Sequence, residues 1–504
     1  MKPFVLCCLL FAAALARADV KPATLFADHA VLQRDKPVPV WGVADAGEKV
    51  SVIFAGHTVE TTADAAGRWR VELPALAASA EPRSLVIRGR NTVTLTDILV
   101  GEVWLASGQS NMARTLRTTA FDTVFEYPAS ADFPMIREFT VAHAVTDQPA
   151  ADVAGAWRRA GPATLPEFSA TAWLFAHALH VVLRVPVGIV NSSWGGTPAE
   201  AWTDAEALRG SPVHAAVRQR WDEVLAAYPA AKARYDAARA DWEKQKAVAT
   251  AAGKKFTKAA PAVPPGPGHQ NTPSGLFNGM IAPLTPAAFR GVIWYQGENN
   301  ARVPRNTEYR QLFPALVSGW RRVFNQGDFP FYWVQLANFA SGDAESTVWA
   351  TLRESQTLTL ALPHTGQAVI IDIGNVADIH PKNKKDVGRR LARLALRRTY
   401  GLDLVDSGPV FAKAAPEGAG WRVSFTHTDG GLVAPLNALS GFELAGEDRV
   451  FHPANAKIQK DSVLVTSPSV PAPVAVRYAW RNAPVAGLFN GEGLPATPFR
   501  TDTW

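Results

Sequence analysis

Cysteine is nearly absent from this chain of 504 residues. The two that occur, Cys7 and Cys8, lie inside an apolar stretch at positions 4–15. A single lysine precedes that stretch and Ala-Arg-Ala follows it at 16–18, which is the pattern of a secretory signal peptide and its cleavage site. We expect residues 1–18 to be removed on export to the periplasm or the medium. The mature chain would then form no disulfide and no thiolate metal site.

Long apolar runs are also missing. After residue 15 no uninterrupted apolar stretch approaches the roughly 20 residues that a membrane-spanning helix needs. The formal net charge is +6, from 51 Lys and Arg against 45 Asp and Glu, and the basic residues are spread along the chain. The densest group, 382–398, alternates Arg with Leu at near-helical spacing, which is typical of a helix with a solvated face. We therefore expect no membrane span and no nucleic-acid partner.

The two ends of the mature chain have the pattern of β-structure. In 19–98, short strand-like runs of alternating polarity are separated by Gly and Asp turns, and the pattern returns in 405–504. Several short strands at this spacing predict a sandwich. We expect one β-sandwich-like module at each end.

The central region, 99–404, alternates near-continuous apolar runs with helical patterns. Such runs are typical of parallel strands buried on both faces, and their alternation with helices predicts an α/β fold with three layers, α/β/α, around a parallel sheet. The predicted strands are 103–107, 187–193, 292–296, 331–336 and 368–373, and the predicted helices are 169–183, 306–324, 346–362 and 385–400.

An insertion interrupts this central region at about 203–268. Its first part, 203–245, is rich in Ala and charged residues and predicts one or two exposed helices. The stretch 261–268 is rich in Pro and Gly and predicts a loop. A plain helical excursion is the simpler interpretation, and a lid over a substrate site is the alternative.

Ser110 is the first candidate for chemistry. It lies in the turn Gly-Gln-Ser-Asn-Met at 108–112, directly after the first predicted parallel strand. A strand end can present a serine as a nucleophile, but the hydroxyl is weak unless a base takes its proton. The same residue types also form ordinary turns, so a second group is needed to decide between the two readings.

Three other polar turns follow predicted strands, at the edge where open α/β sheets place their sites. The glycines of 194–197 could let a backbone N–H approach a reacting oxygen, and the amides and glutamate of 294–300 could donate to an oxyanion or orient a histidine. In 378–381, Asp378 stands two residues before His380, as a carboxylate that orients an imidazole could. The order Ser, Asp, His along the chain matches that of α/β-hydrolases.

These motifs resemble those of SGNH-type esterases, and among them the sialate O-acetylesterase family, which includes related bacterial carbohydrate acetylesterases. The resemblance extends over most of the mature chain in the long bacterial form of the family. It is carried by 26–33, 101–112, 194–197, 294–300, 349–356 and 378–381.

The resemblance implies roles for individual residues. Ser110 would be the nucleophile and His380 the general base. The oxyanion hole would consist of the Ser110 N–H, the Gly196 N–H and the Asn300 side chain.

Three carboxylates are candidates for the acid of a catalytic triad. Asp378 fits by its spacing from His380, the resemblance implies Glu298 as the acid by analogy with some relatives, and Asp372 stands at the end of a predicted strand. The choice among them stays open at this point.

The resemblance also implies a reaction, the hydrolysis of an O-acetyl ester on a carbohydrate, with no metal or organic cofactor. Acetylated xylan or another plant glycan is an alternative substrate for the same chemistry. A carbohydrate-binding protein with an inactive centre is the alternative of another class. It is disfavoured because the serine, the histidine and an acid are all present. The oligomeric state is left open.

Overall fold

A computed structural model describes residues 19–119, 131–435 and 439–504. The proposed signal peptide at 1–18 lies outside the described residues. Among the helices within them, none is long and apolar enough to cross a membrane.

The N-terminal part consists of eight strands. They are β1 (Lys21–Pro22), β2 (Val31–Gln33), β3 (Val38–Val43), β4 (Lys49–Phe54), β5 (His57–Thr62), β6 (Arg68–Leu73), β7 (Ser79–Arg88) and β8 (Thr92–Gly108). Strands β1, β3 and β6 form one antiparallel sheet, whereas β4, β5, β7 and β2 join a larger sheet through β8. The predicted β-structure of 19–98 is therefore present.

Strand β8 links this part to the centre of the molecule. Its side chains alternate between exposed and half-buried up to Asp97, and from Ile98 to Gly108 all of them are buried. The composition changes at the position where 19–98 was expected to end, but the strand continues through it. The domain limits stay predictions.

The central region alternates helices and strands as its sequence pattern predicts. Its elements are α1 (Ser110–Ala113), α2 (Leu116–Thr119), β9 (Phe133–Val141), β10 (Gly155–Ala160), α3 (Ala170–Leu183), β11 (Val187–Ser193), α4 (Ala199–Trp202), α5 (Ala205–Gly210), α6 (His214–Ala251), β12 (Gly291–Tyr295), α7 (Arg305–Phe324), β13 (Phe331–Val334), α8 (Val348–Leu358), β14 (Thr365–Ala368) and α9 (Lys384–Arg398). Short 3-10 helices at Leu165–Glu167, Ala282–Leu284 and Thr359–Ala361 and a π-helical turn at Phe277–Ile281 complete it.

A mixed sheet organises this region, in the order β10-β9-β11-β8-β12-β13-β14. Strands β9, β11, β8, β12, β13 and β14 are parallel, and β10 is antiparallel to β9. Gly108 at the end of β8 lies beside Ser193 of β11 and Tyr295 of β12. The three strands thus end side by side, and the turns that follow them leave from one edge.

The predicted strand at 368–373 is wrong. Strand β14 covers Thr365–Ala368, and the chain leaves the sheet after it. Val369 and Ile371 pack into a second apolar cluster with the C-terminal strands, while Ile370 packs into the main core. The run is apolar because it lies between two cores, not because it pairs as a strand.

The helices of the insertion are confirmed as α5 and α6. Helix α6 is about 57 Å long at the usual rise per residue. It buries Val217 and Trp242, and most of its other side chains are exposed. The Trp242 indole donates to the Lys258 carbonyl at 2.8 Å, which ties the returning chain to the far end of the helix.

The C-terminal part again consists of strands. They are β15 (Val410–Glu417), β16 (Gly420–Thr426), β17 (Leu432–Val433), β18 (Phe442–Ala445), β19 (Phe451–Pro453), β20 (Asn455–Gln459), β21 (Ser462–Thr466), β22 (Ala475–Tyr478), β23 (Phe489–Asn490) and β24 (Phe499–Arg500). The orders β15-β16-β21-β20 and β19-β18-β22-β24 define two four-stranded antiparallel sheets. Both sheets supply side chains to the second apolar cluster.

Gly108 offers a direct test of how tightly the strand ends are packed. Its φ is +133°, and a Cβ built on it would lie 2.2 Å from the Tyr295 carbonyl oxygen. We expect Gly108→Ala to lower the free energy of unfolding by about 2–4 kcal/mol, because strain and a backbone clash add. The control is Gly210→Ala, where the Cβ would meet no atom within 4 Å. Equal denaturation midpoints for the two variants would contradict the packing described.

Candidate active site

Ser110 stands at the edge of the sheet as the first residue of α1. The Gln109 N–H donates to the Tyr295 carbonyl at 2.9 Å, so the turn is attached to the neighbouring strand before the serine begins the helix. Gln109 and Asn111 are buried, whereas Ser110 is partly exposed. The turn thus presents one hydroxyl and buries the polar groups on either side of it.

His380 faces this hydroxyl. Its Nε2 lies 2.9 Å from the Ser110 Oγ, although the two residues are 270 positions apart. The loop after β14 brings them together, as their placement at strand ends predicts. A neutral imidazole at this distance can take the proton of the hydroxyl.

Asp378 is the carboxylate beside His380. One of its oxygens, Oδ1, accepts the His380 backbone N–H at 2.9 Å and lies 3.6 Å from the ring Nδ1. The first contact is a hydrogen bond within the loop. The second is longer than a hydrogen bond but within the distance of an ion pair. Asp378 therefore stands on the side of the ring away from Ser110 and acts on it through charge.

The pKa of His380 is lowered from its ordinary value of 6.5. Burial is the largest cause, the positive charges of Arg114 and Lys384 add to it, and the Asp378 carboxylate opposes it. The imidazole is therefore neutral at pH 7, which is the form that accepts a proton.

The other two candidate acids have different partners. Asp372 forms a two-pronged ion pair with Arg390, with both distances 2.6 Å. Glu298 is buried and accepts a hydrogen bond from the Asn111 amide. Neither carboxylate hydrogen-bonds the His380 ring within the described ranges.

A cluster of three buried polar side chains lies directly behind the serine; we call Asn111, Glu298 and Lys384 the Asn111 cluster. The Lys384 ammonium donates to the Asn111 Oδ1 at 2.6 Å. Burial lowers the pKa of Lys384 to about 7, and the Glu298 carboxylate opposes that shift. Burial raises the pKa of Glu298, and the hydrogen bond from Asn111 opposes it.

Helix α9 confirms the predicted helix with a solvated face, on which Arg389, Arg397 and Arg398 are exposed, but Lys384 is not part of that face. Its relative exposure is 0%, and Arg390 on the same helix is 9% exposed. Charge and helical spacing alone suggested solvent. The available signal was proximity, since Lys384 follows His380 by four residues, and Asn111 follows Ser110 directly.

The glycine turn after β11 packs against the serine. A Cβ built on Gly195 would lie 3.3 Å from the Ser110 Cβ. The Gly195 carbonyl accepts from the Gln270 amide at 2.9 Å, and the Gly196 carbonyl accepts from the Asn299 amide. Because C=O and N–H point in opposite directions in a trans peptide, the Gly196 N–H points away from Gln270.

Asn300 is not positioned as expected for an oxyanion donor. Its amide nitrogen donates to Glu200 at 2.9 Å, and its oxygen accepts from the Ala199 N–H and the Gln296 amide. The side chain is 1% exposed. It connects the loop after β12 to the start of α4, and its amide is used there rather than at Ser110.

An aromatic pair borders the site beside the glycine turn. The Trp194 ring stacks on the His143 ring at a centroid distance of 4.0 Å and an interplanar angle of 6°. Trp194 is half-buried, so part of the indole remains open to a ligand. Trp202, Trp294 and Trp349 are buried, as expected of most tryptophans in this region.

No metal centre is found among the described residues, which contain no group of three His, Cys, Asp or Glu side chains that could hold a metal ion.

Comparison with known proteins finds similarity to carbohydrate esterases. A family model described as carbohydrate esterase, sialic acid-specific acetylesterase, matches residues 267–397, which include Glu298 and His380. The sialate O-acetylesterase of Rattus norvegicus is 28% identical over 99% of this chain and 98% of its own length. That of Homo sapiens is 29% identical over 63% of this chain and 57% of its own length.

A solved structure is more similar. The crystal structure of a carbohydrate acetylesterase from Xanthomonas citri is 41% identical, covers 96% of this chain and 100% of its own, and superposes with a TM-score of 0.82. The likeness therefore extends to the N- and C-terminal strands as well as to the region around Ser110.

The environment of His380 predicts the pH dependence of ester hydrolysis. We expect kcat/KM for p-nitrophenyl acetate to fall on acidification with a midpoint below 6.5, because burial and Arg114 disfavour the imidazolium. Arg114→Met should move this midpoint to higher pH, since it removes a positive charge near the ring.

The matched control for this experiment is Arg117→Met, on the next helix, where the exposed guanidinium pairs with Glu167. Its midpoint should equal that of the wild type. A midpoint above 6.5 in the wild type, or equal midpoints for the two variants, would contradict the described environment.

Proposed function

The chain belongs to the sialate O-acetylesterase family of carbohydrate esterases, and we propose that it removes acetyl groups from sugar hydroxyls through an acyl-enzyme on Ser110. It is a carboxylic-ester hydrolase and a carbohydrate O-acetylesterase. The observation that supports the proposed mechanism is the 2.9 Å contact between the Ser110 Oγ and the His380 Nε2.

The first half of the reaction acylates the enzyme. The Ser110 Oγ attacks the acetyl carbonyl carbon while the His380 Nε2 takes its proton, and the carbonyl π electrons move to the oxygen. When the tetrahedral intermediate collapses, the bond to the sugar oxygen breaks and His380 gives its proton to that oxygen. The free sugar alcohol leaves, and the acetyl group stays on Ser110.

The second half returns the enzyme to its starting form. His380 takes a proton from water as the water oxygen attacks the acetyl-serine, and it returns the proton to the Ser110 Oγ as acetic acid leaves, which then loses its proton to the solvent. These steps use side chains and water alone. Asp378 is the proposed acid, because its negative charge near Nδ1 stabilises the imidazolium that forms in each half.

Backbone groups are the proposed oxyanion donors. The Ser110 N–H begins a helix, where it lacks an intrahelical acceptor, and the Gly196 N–H belongs to a peptide that packs beside the serine. One such donor contributes about 3 kcal/mol to transition-state stabilisation. Asn300 is left out of this set because its amide bonds to Glu200.

Acetylated sialic acid is the first substrate to test. The support is the similarity to sialate O-acetylesterases over nearly the whole chain. Trp194 directly precedes Gly195, which packs against Ser110, and its half-buried indole is a surface on which a sugar ring could stack. Acetylated xylan and acetylated monosaccharides belong in the same panel, and faster turnover of either would reassign the substrate without changing the mechanism.

The finer architecture is part of the proposal. We infer an SGNH-type three-layer α/β/α domain flanked by β-sandwich-like modules. Trp104 of β8 packs on Phe175 of α3, whereas Trp294 of β12 packs on Phe313 of α7, which supports helical layers on two sides of the sheet. A crystal structure with α3 and α7 on the same side would exclude this architecture.

Export is also proposed, on the sequence pattern at 1–18 alone. We infer a periplasmic or secreted enzyme whose mature chain begins at Asp19. N-terminal peptide mapping of the protein from its native host tests this, and an intact Lys2 in the mature protein would refute it.

Ser110→Ala tests the nucleophile. We expect a loss of at least about 10⁴-fold in kcat on p-nitrophenyl acetate and on acetylated sialic acid, since no other group takes over the covalent step. The control is Ser79→Ala, a serine in β7 outside the site, which should leave kcat unchanged. Turnover near wild type in a folded Ser110→Ala protein would remove Ser110 from the mechanism.

Asp378→Asn and Glu298→Gln together test the acid. If Asp378 stabilises the imidazolium, its variant should lose about 10³- to 10⁴-fold in kcat. Glu298→Gln should lose markedly less, because its carboxylate bonds to Asn111 and not to the ring. The reverse ranking, measured with the same ester, would assign the acid to Glu298.

A further inference from the structure

The Asn111 cluster has no part in the reaction steps above, yet it connects the two sides of the site. We propose that Lys384 is a positioning residue: it fixes the Asn111 amide, and the amide holds the serine turn against the histidine loop. The inference rests on the proposed roles of Ser110 and His380.

The first observation is the set of bonds that the Asn111 amide makes. Its nitrogen donates to the Ile379 carbonyl at 3.0 Å and to the Glu298 carboxylate, and its oxygen accepts from Lys384. Asn111 is adjacent to Ser110 in the chain, and Ile379 is adjacent to His380. One side chain therefore joins the residue after the nucleophile to the residue before the base.

The second observation is that chemistry allows one orientation of this amide. Below the Lys384 pKa of about 7 the side chain is an ammonium, which can only donate, so its Nζ must face the amide oxygen. A backbone carbonyl can only accept, so Ile379 must face the amide nitrogen. Without Lys384 the buried oxygen loses its donor, and the amide is free to rotate out of its bond to Ile379.

The third observation is that Lys384 is poorly placed for stability. It is fully buried, and it is the first residue of α9, where the helix dipole disfavours a positive charge. Buried ion pairs often contribute little net stability compared with apolar side chains of similar size. A cation kept at such a position is better explained by what it orients than by what it stabilises.

A loosened amide bond should affect the reaction step more than substrate binding. The Ser110 Oγ and the His380 Nε2 must meet at hydrogen-bond distance, and a misplacement of about 1 Å can cost about 100-fold in rate. Substrate reaches Ser110 from its exposed side, whereas the three side chains of the Asn111 cluster are buried and cannot contact it. The expected signature is a fall in kcat with little change in KM.

Lys384→Met tests the inference, with Asn111→Ala and the double variant completing a mutant cycle. We expect Lys384→Met to lower kcat by about 100-fold and to change KM less than about threefold. The double variant should be no slower than Asn111→Ala alone, because Lys384 acts through Asn111. Arg389→Met, an exposed position of α9, is the matched control and should behave as the wild type.

The acidic limb of the pH profile separates positioning from folding. Arg114, Asp378 and Lys384 are the charged groups that act on His380, and Lys384 lowers the pKa of the ring. Lys384→Met should therefore move the limb to higher pH. A lower melting temperature with unchanged kcat, KM and pH profile would mean a structural role only and would overturn the inference.

If Lys384→Met does not fold, the double variant Glu298→Gln/Lys384→Met takes its place. It removes both buried charged groups and approximately keeps the volume of the two side chains. The folded double variant should still show the low kcat, because the Asn111 oxygen lacks its ammonium donor. Wild-type kcat in it would overturn the inference. The failure of this inference can be told apart from the failure of the proposed function. An inactive Ser110→Ala with a fully active Lys384→Met rejects the role of Lys384 alone. An active Ser110→Ala rejects the proposed mechanism.

Discussion

The parallel register of β8, β11 and β12 is the constraint on which the site depends. Gly108 lies level with Ser193 and Tyr295, so the turns that follow leave the sheet at one edge. Each turn supplies a different group: the serine after β8, the glycines after β11 and the buried glutamate after β12. The interaction is non-local, since the strands come from distant parts of the chain, and hydrogen bonds of the sheet fix their relative height.

A second constraint joins the sheet edge to the loop that supplies the base. His380 lies on a loop between β14 and α9, without strand pairing of its own. Its position is defined by the Asp378 carboxylate that accepts its backbone N–H and by the Asn111 amide that donates to the Ile379 carbonyl. The site therefore combines a rigid strand end with a loop that side-chain hydrogen bonds hold in place. The polar side chains on either side of Ser110 in the chain are buried, whereas Ser110 itself is partly exposed.

Much of this arrangement could be predicted from the sequence, because strand ends and Gly-rich turns leave a local signature. Ser110 and His380 follow predicted strands, and their contact is the one that the pattern implied. The residues 368–373 could not be assigned correctly, since an apolar run between two cores looks like a buried strand. The burial of Lys384 cannot be predicted for a related reason: its partner Asn111 and the nearby charge of Glu298 come from distant parts of the chain. Hydrogen bonds between side chains that are distant in the sequence, such as the one from Asn300 to Glu200, leave no local pattern of this kind.

The central claim is that Ser110 carries the acetyl group during turnover. Rapid acid quenching of the enzyme with an excess of acetylated substrate, followed by mass mapping of its peptides, tests this directly. We expect an acetyl group on Ser110, formed within the first turnover and lost when substrate is exhausted. Acetate release with no acetylated peptide, or with the acetyl group on another residue, would contradict it.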